Sequence, residues 1–131
     1  MFDFSKFCEI GDILAQIDDE AYIRSAIGRY YYSILCCARI YLVEIKNKYE
    51  FRSKHNIHRK ICDYLMSSKN DTEQSIGEIL DELREIRGYA DYDWENKNYV
   101  FFASQLNDTK RNTKLALDQI NALKKSPPFD L

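Results

Sequence analysis

The residues best equipped for chemistry in this sequence are its two histidines, His55 and His58, and a small set of arginines. Imidazole titrates near neutral pH and can serve as a general base or a general acid. Arg87 is the most informative companion for such a group. It follows Leu80 by seven positions and Leu83 by four, on the shoulder of an apolar helical stripe. A guanidinium half-buried there needs a partner. It either clamps phosphate oxygens bidentately or pairs with Asp91 one turn later, with Tyr92 adding a hydroxyl. Arg29 shares a helical face with Tyr32, so Arg29, Tyr32, Arg87 and Asp91 make a candidate polar cluster. Arg29 either joins that cleft or satisfies a carboxylate such as Asp91 across the fold. The bland reading of His58 is a satisfied or solvent-edge histidine. The ten tyrosines mostly read as packed rings with one hydroxyl to satisfy.

A second set of candidates is electrostatic. Lys46, Lys48, Arg52, Lys54, His55, Arg59 and Lys60 form a locally basic stretch interrupted by Glu50, with Tyr49 and Phe51 interleaved. Arg52, Lys54, Arg59 and Lys60, with Arg29, are the candidates for contacting a nucleic-acid backbone; the alternative is a solvated face. Glu73, Glu78, Asp81, Glu82 and Glu85 read as an exposed acidic face or a docking surface for a basic partner. The net charge of −2 supplies no global field toward nucleic acid or anionic lipid, so phosphate binding must be local.

Several chemistries find no support. Cys8, Cys36, Cys37 and Cys62 contain no Cys-x-x-Cys pair, and adjacent Cys36 and Cys37 diverge on a helix. They read as small apolar fillers of a reduced core, with no metal and no cofactor expected. A Gly-rich phosphate loop, His-Glu-x-x-His, Gly-x-Ser-x-Gly and di-iron Glu-x-x-His pairs are missing. The N-terminal residues do not read as a signal peptide. The longest apolar stretch, Tyr30 to Ile45, contains Arg39 and Glu44 and falls short of the roughly 20 residues that span a bilayer. The expectation is a cytoplasmic protein without membrane partners.

The elements that must hold these residues are helices. With 4 Gly and 2 Pro in 131 residues, a turn-rich sheet is disfavoured. A first helix is predicted over about 5–17, with Ser5 as its cap and Phe7, Ile10, Leu14 and Ile17 as its buried stripe. Asp18-Asp19 caps a second, which continues to about Tyr49, roughly 45 Å long, and is apolar on so many sides that it should be central. A third runs from Ile57 to about Ser67. A fourth is opened by Thr72 and Ser75 and keeps its period through Ile76, Ile79, Leu80, Leu83 and Ile86 to Ala90. Residues 91–98 lack a readable period. A last helix, about 103–125, turns Leu106, Thr113, Leu117, Ile120 and Leu123 inward and stops before Pro127-Pro128. The expected fold is all-α, an antiparallel four- to five-helix up-and-down bundle, one domain over 1–125 with a short tail at 126–131.

Two segments resemble the HEPN family. Arg29-Tyr30-Tyr31-Tyr32-Ser33-Ile34-Leu35-Cys36-Cys37-Ala38-Arg39 is similar to the long helix of small prokaryotic HEPN proteins. Leu83-Arg84-Glu85-Ile86-Arg87-Gly88-Tyr89-Ala90-Asp91-Tyr92 resembles their Arg-x-x-Ala-Asp-Tyr segment. His58 falls where a histidine opens the family's third helix. The resemblance implies a homodimer with a polar cleft between subunits, and a place in prokaryotic defence, toxin–antitoxin or stress systems. RNA, a nucleotide or a cognate nucleotidyltransferase-type protein are the partners it suggests. The nuclease branch carries a histidine four to six residues after its arginine. Here Gly88 to Asp93 fill that interval without one. The expectation is therefore an interaction or nucleic-acid-associated protein. The alternatives are a metal-independent ribonuclease using Arg87 with His58 or Tyr92, and a structural subunit of a larger complex.

Overall fold

A computed structural model describes residues 1–128. It is all-helical, with α1 (Lys6–Ala15), α2 (Glu20–Ile40), α3 (Ile57–Met66), α4 (Asp71–Tyr92) and α5 (Tyr99–Lys125), and no strand among the described residues. The helix-bundle fold class predicted from periodicity is the one observed. Residues 129–131 of the expected tail lie outside the described residues.

The centre of the bundle is α2, packed against α1, α4 and α5, while α3 lies on α4. Ala26, Ile27, Tyr30, Tyr31, Ile34 and Ala38 bury on its several faces, which is why its sequence is apolar almost all round. Each fully buried Ile or Leu adds roughly 1.5–3 kcal/mol of transfer free energy. Asp19 caps α2 by accepting from the Ala21 amide at 2.9 Å. Two glycines mark close helix approaches. A Cβ on Gly77 would stand 2.7 Å from the Met66 backbone nitrogen, and one on Gly11 2.8 Å from the Tyr30 ring.

Several boundaries differ from the sequence reading, each for a local reason. The second helix does not reach Tyr49. It loosens into a π-helical turn at Tyr41–Ile45 and the chain reverses at Asn47, whose φ is 58°. Asparagine tolerates this left-handed conformation, so it ends the helix where a reader looks for glycine. A single 3₁₀ turn, Tyr49–Arg52, follows. Arg39 fixes that turn by donating to the carbonyls of Phe51 (2.7 Å) and Arg52 (2.6 Å).

Ser5 makes no side-chain cap at α1; its hydroxyl donates to Asp3 instead. The buried face of α1 is Cys8 and Gly11, with Leu14 and Ala15 beside them. Ile10 and Ile17, predicted inward, are exposed. The fourth helix is capped earlier than expected, by Asn70 accepting from the Glu73 amide. The fifth begins at Tyr99 rather than Ala103, with Asn98 accepting from the Val100 amide. The fourth helix runs on past Ala90 to Tyr92, and the rest of the aperiodic 91–98 segment, which joins it to α5, is ordered by polar bonds that periodicity cannot register. Arg24 donates to the carbonyls of Ala90, Asp93 and Lys97, and the Asp93 carboxylate accepts from the amides of residues 95, 96 and 97.

Candidate functional site

Where α2 meets both α3 and α4, consecutive Tyr31 and Tyr32 diverge by the helical step. Tyr31 is fully buried and Tyr32 half-buried. From α3, His58 stacks almost parallel on Tyr31, with ring centroids 5.7 Å apart and planes at 8°. It meets Tyr32 edge-on at 5.8 Å. From α4, the Arg87 guanidinium stands 5.2 Å from the Tyr31 ring centre and 5.9 Å from that of Tyr32. Residues 29 positions apart in sequence thus meet on one tyrosine pair. Arg29, one turn earlier on α2, lies 5.8 Å from the Tyr32 ring and 4.7 Å from that of Phe7. The Tyr32 ring therefore has a guanidinium contact from each of two helices.

The hydrogen bonds of this cluster are incomplete. Asp91 receives Arg87 Nη1 at 3.4 Å, long for a charge-assisted bond. The Arg87 Nε is buried and has no partner among the described residues. A buried donor left in that state costs about 1–3 kcal/mol. His58 Nδ1 lies 2.8 Å from the Tyr31 hydroxyl. Burial, then the nearby positive charges of Arg87 and Arg84, hold the His58 pKa below its ordinary 6.5. Burial drives the Tyr31 phenol well above its ordinary value of 10, against an opposing pull from Arg87. Near neutral pH the histidine is uncharged and the tyrosine protonated. We assign the Tyr31 hydroxyl as donor to Nδ1, its one hydrogen-bond partner, which leaves the hydrogen of the imidazole on Nε2. Both Arg87 and His58 then present N–H groups, an arrangement suited to an anionic oxygen.

α3 adds to this polarity. It starts at Asn56, which is left-handed (φ 51°) and makes no side-chain cap, so the first-turn amides stay available at the positive end of the helix. Arg59 and Lys60 are exposed immediately after His58, as are Arg52 and Lys54 before the helix. Arg59 holds only a loose surface pair with Asp63 at 3.7 Å, and Arg52 approaches Glu44 at 3.7 Å.

Other candidates fall elsewhere. Tyr92 does not join Arg87 and Asp91; it is 75% exposed and lines a groove on the outer side of α4. Arg29 makes no ion pair among the described residues and rests on the rings of Phe7 and Tyr32, so of its two alternatives the pairing with Asp91 is not made and cation–π contact stands in its place. Lys46 does not belong to the basic surface, and Glu73 does not belong to the acidic one. They form a buried pair at 2.9 Å, made possible by the π-helical turn that brings Lys46 back over α4. The Tyr41 hydroxyl donates to Glu73 at 2.6 Å and that of Ser68 at 2.7 Å. Glu78, Glu82 and Glu85 are exposed. His55 is exposed beside Asn56.

Tyr31, named in the sequence only as part of the HEPN-like segment, is the pivot, and Arg84 contributes through its charge. Their signal was faint: a tyrosine inside a tyrosine run, and an arginine whose i−3 neighbour, Asp81, takes it at 3.0 Å. All four cysteines are free. Among the described residues no group of three His, Cys, Asp or Glu side chains is gathered in a way that would hold a metal, and no helix is long and apolar enough to cross a membrane.

The chain is 31% identical over 110 residues to an uncharacterized protein of Methanocaldococcus jannaschii, covering 71% of this chain and 62% of that relative. It thus spans less than two thirds of that protein's length. No family model and no solved structure matches the chain.

Proposed function

We propose that this chain is a HEPN-type helical-bundle protein that acts as a homodimer and recognises a phosphate group of RNA or of a nucleotide through Arg87 and His58. Its setting would be a prokaryotic defence, toxin–antitoxin or stress system. The observation that carries the reading is the buried, unpartnered Nε of Arg87 beside the neutral imidazole of His58. A phosphate oxygen is an acceptor for the under-bonded Arg87 guanidinium, which binds it with directional bonds rather than as a point charge. The uncapped start of α3, with Arg59 and Lys60, supplies further positive potential beside His58.

Binding without cleavage fits the proton inventory better than catalysis does. Metal-independent cleavage needs a base and an acid. The Nδ1 lone pair already accepts from Tyr31, and Tyr31 itself holds its proton firmly. Gel retardation of a labelled single-stranded RNA in EDTA at low salt tests this reading. Retarded, intact RNA with the parent protein, lost in Arg87→Ala, is the expected result. Absence of retardation at low salt rejects it. The second reading is a metal-independent ribonuclease in which His58 exchanges a proton through Nε2, the ring edge left over by the Tyr31 bond. RNA cleavage in EDTA that disappears in both Arg87→Ala and His58→Ala would establish that reading over the first.

A further inference from the structure

The outer side of α4 carries a groove of about 620 Å³ that the phosphate reading does not use. Gly88 and Tyr92 line it, with Glu85, Tyr89 and Asp93, and Trp94 follows directly in sequence. Trp94, the single tryptophan of the chain, is 85% exposed and Tyr92 75%. Neither ring has an aromatic or cationic neighbour among the described residues, whereas Tyr89 packs edge-on against Phe101. Gly88 sits inside α4, where glycine is less favourable than alanine, yet a Cβ there would meet nothing within 4 Å. The fold itself gives no reason for that glycine. A ligand or chain lying close against the helix backbone does.

Charge decides what kind of chain. The carboxylates of Asp81, Glu85 and Asp93 line the groove, with exposed Glu82 one turn back on α4 and exposed Glu95 next to Trp94 in sequence. The local cations are already engaged. Arg24 binds three backbone carbonyls and Glu20, and Arg84 binds Asp81. Lys97 lies over the rings of Tyr89 (5.2 Å) and Phe101 (4.6 Å). Arg24 itself stands 4.4 Å from the Phe102 ring centre. This end of the bundle already places its own cations on aromatic rings, and Tyr92 and Trp94 are the rings left over. A polyanion would be repelled here.

We propose that the α4 groove from Glu85 to Trp94 is a docking site for an arginine-rich segment of a partner protein. Guanidinium groups would stack on Tyr92 and Trp94 and bind Glu85 and Glu95, with the peptide backbone lying against Gly88. The groove shares only Arg84 with the surroundings of the Arg87–His58 cluster, and the variants below leave Arg84, Arg87 and His58 in place, so RNA binding and peptide docking are read separately.

A nona-arginine peptide, titrated into the full chain at about 50 mM salt, tests this site with Trp94 emission and calorimetry as readouts. The expected result is a saturable change in Trp94 emission that weakens as salt rises. A Cβ at position 88 meets nothing within 4 Å, so Gly88→Leu, projecting into the groove, should keep its helical circular dichroism while losing about tenfold or more in peptide affinity. Tyr92→Ala, at a solvent-exposed position, should lose affinity in the same direction. Unchanged Trp94 emission at saturating peptide overturns the proposal. So does peptide binding that is as tight in both variants as in the parent, since attraction is then general to the acidic surface. Self-association by light scattering that Gly88→Leu abolishes, without any peptide effect, would assign the groove to a second copy of the chain instead.

Discussion

The molecule builds two clusters from the same ingredients, a cation and a carboxylate among tyrosines, and finishes only one. In the Lys46–Glu73 cluster the carboxylate is 1% exposed and receives Lys46, Tyr41 and Ser68. Lys46 also reaches the Tyr64 hydroxyl at 3.0 Å. In the Arg87–His58 cluster the ion pair is stretched to 3.4 Å and the buried Nε finds no acceptor. A buried charge is tolerated when its partners are complete. The first cluster joins α3 and α4 to the end of α2 with its carboxylate fully bonded, whereas the second leaves a buried donor unbonded. Composition alone does not separate the two; the count of satisfied hydrogen bonds does.

The largest effect should come from breaking the finished cluster. Glu73→Ala removes the buried carboxylate that Lys46, Tyr41 and Ser68 all bind, and should cost about 3–5 kcal/mol in urea unfolding. A loss below about 1 kcal/mol would mean water reaches this site and the contrast is false. In the unfinished cluster, Arg87→Leu should leave stability within about 1 kcal/mol of the parent, because it removes an unsatisfied donor along with a weak pair. RNA retardation should nevertheless disappear. A cost comparable with that of Glu73→Ala would make Arg87 structural.

The pH dependence sharpens the contrast further. His58 is held below its ordinary 6.5, so the unfolded chain takes up that proton more readily than the folded one. Its contribution to stability is present above 6.5 and is lost as pH falls from 6.5 through the lower folded value. Thermal melts of the parent should fall over that range, and His58→Gln should flatten the decline. The smallest effect belongs to a pair outside both clusters. Arg59→Ala, opposite Asp63 at 3.7 Å on the surface, should change stability by no more than about 0.5 kcal/mol. It should still weaken RNA retention measurably and reduce its salt dependence.

Much of this was legible in the sequence where one helix suffices to define a face. Ile76, Ile79, Leu80 and Leu83 are all buried on α4, and Arg87 is half-buried on the shoulder of that stripe with Asp91 as its partner. Legibility fails where a residue's role depends on a distant carbonyl or ring. The 91–98 segment has no period because Arg24, some seventy residues earlier, orders it. Lys46 and Glu73 look like surface charges because nothing local indicates that a π-helical turn will bring them together. On α1, the isoleucines looked inward by hydropathy, but the small residues Cys8 and Gly11 let the helix sit close against Tyr30.

By itself the sequence determined an all-α bundle, a central α2 and the presence of Arg87, His58 and a tyrosine run, because helical periodicity and side-chain chemistry are local properties. Only the tertiary structure decided that His58 and Arg87 share Tyr31 and Tyr32, that Tyr92 faces away from them, and that one charged cluster is closed while the other is not. Those outcomes depend on the packing of α2 against α3 and α4, which fixes distances between residues the chain itself leaves far apart.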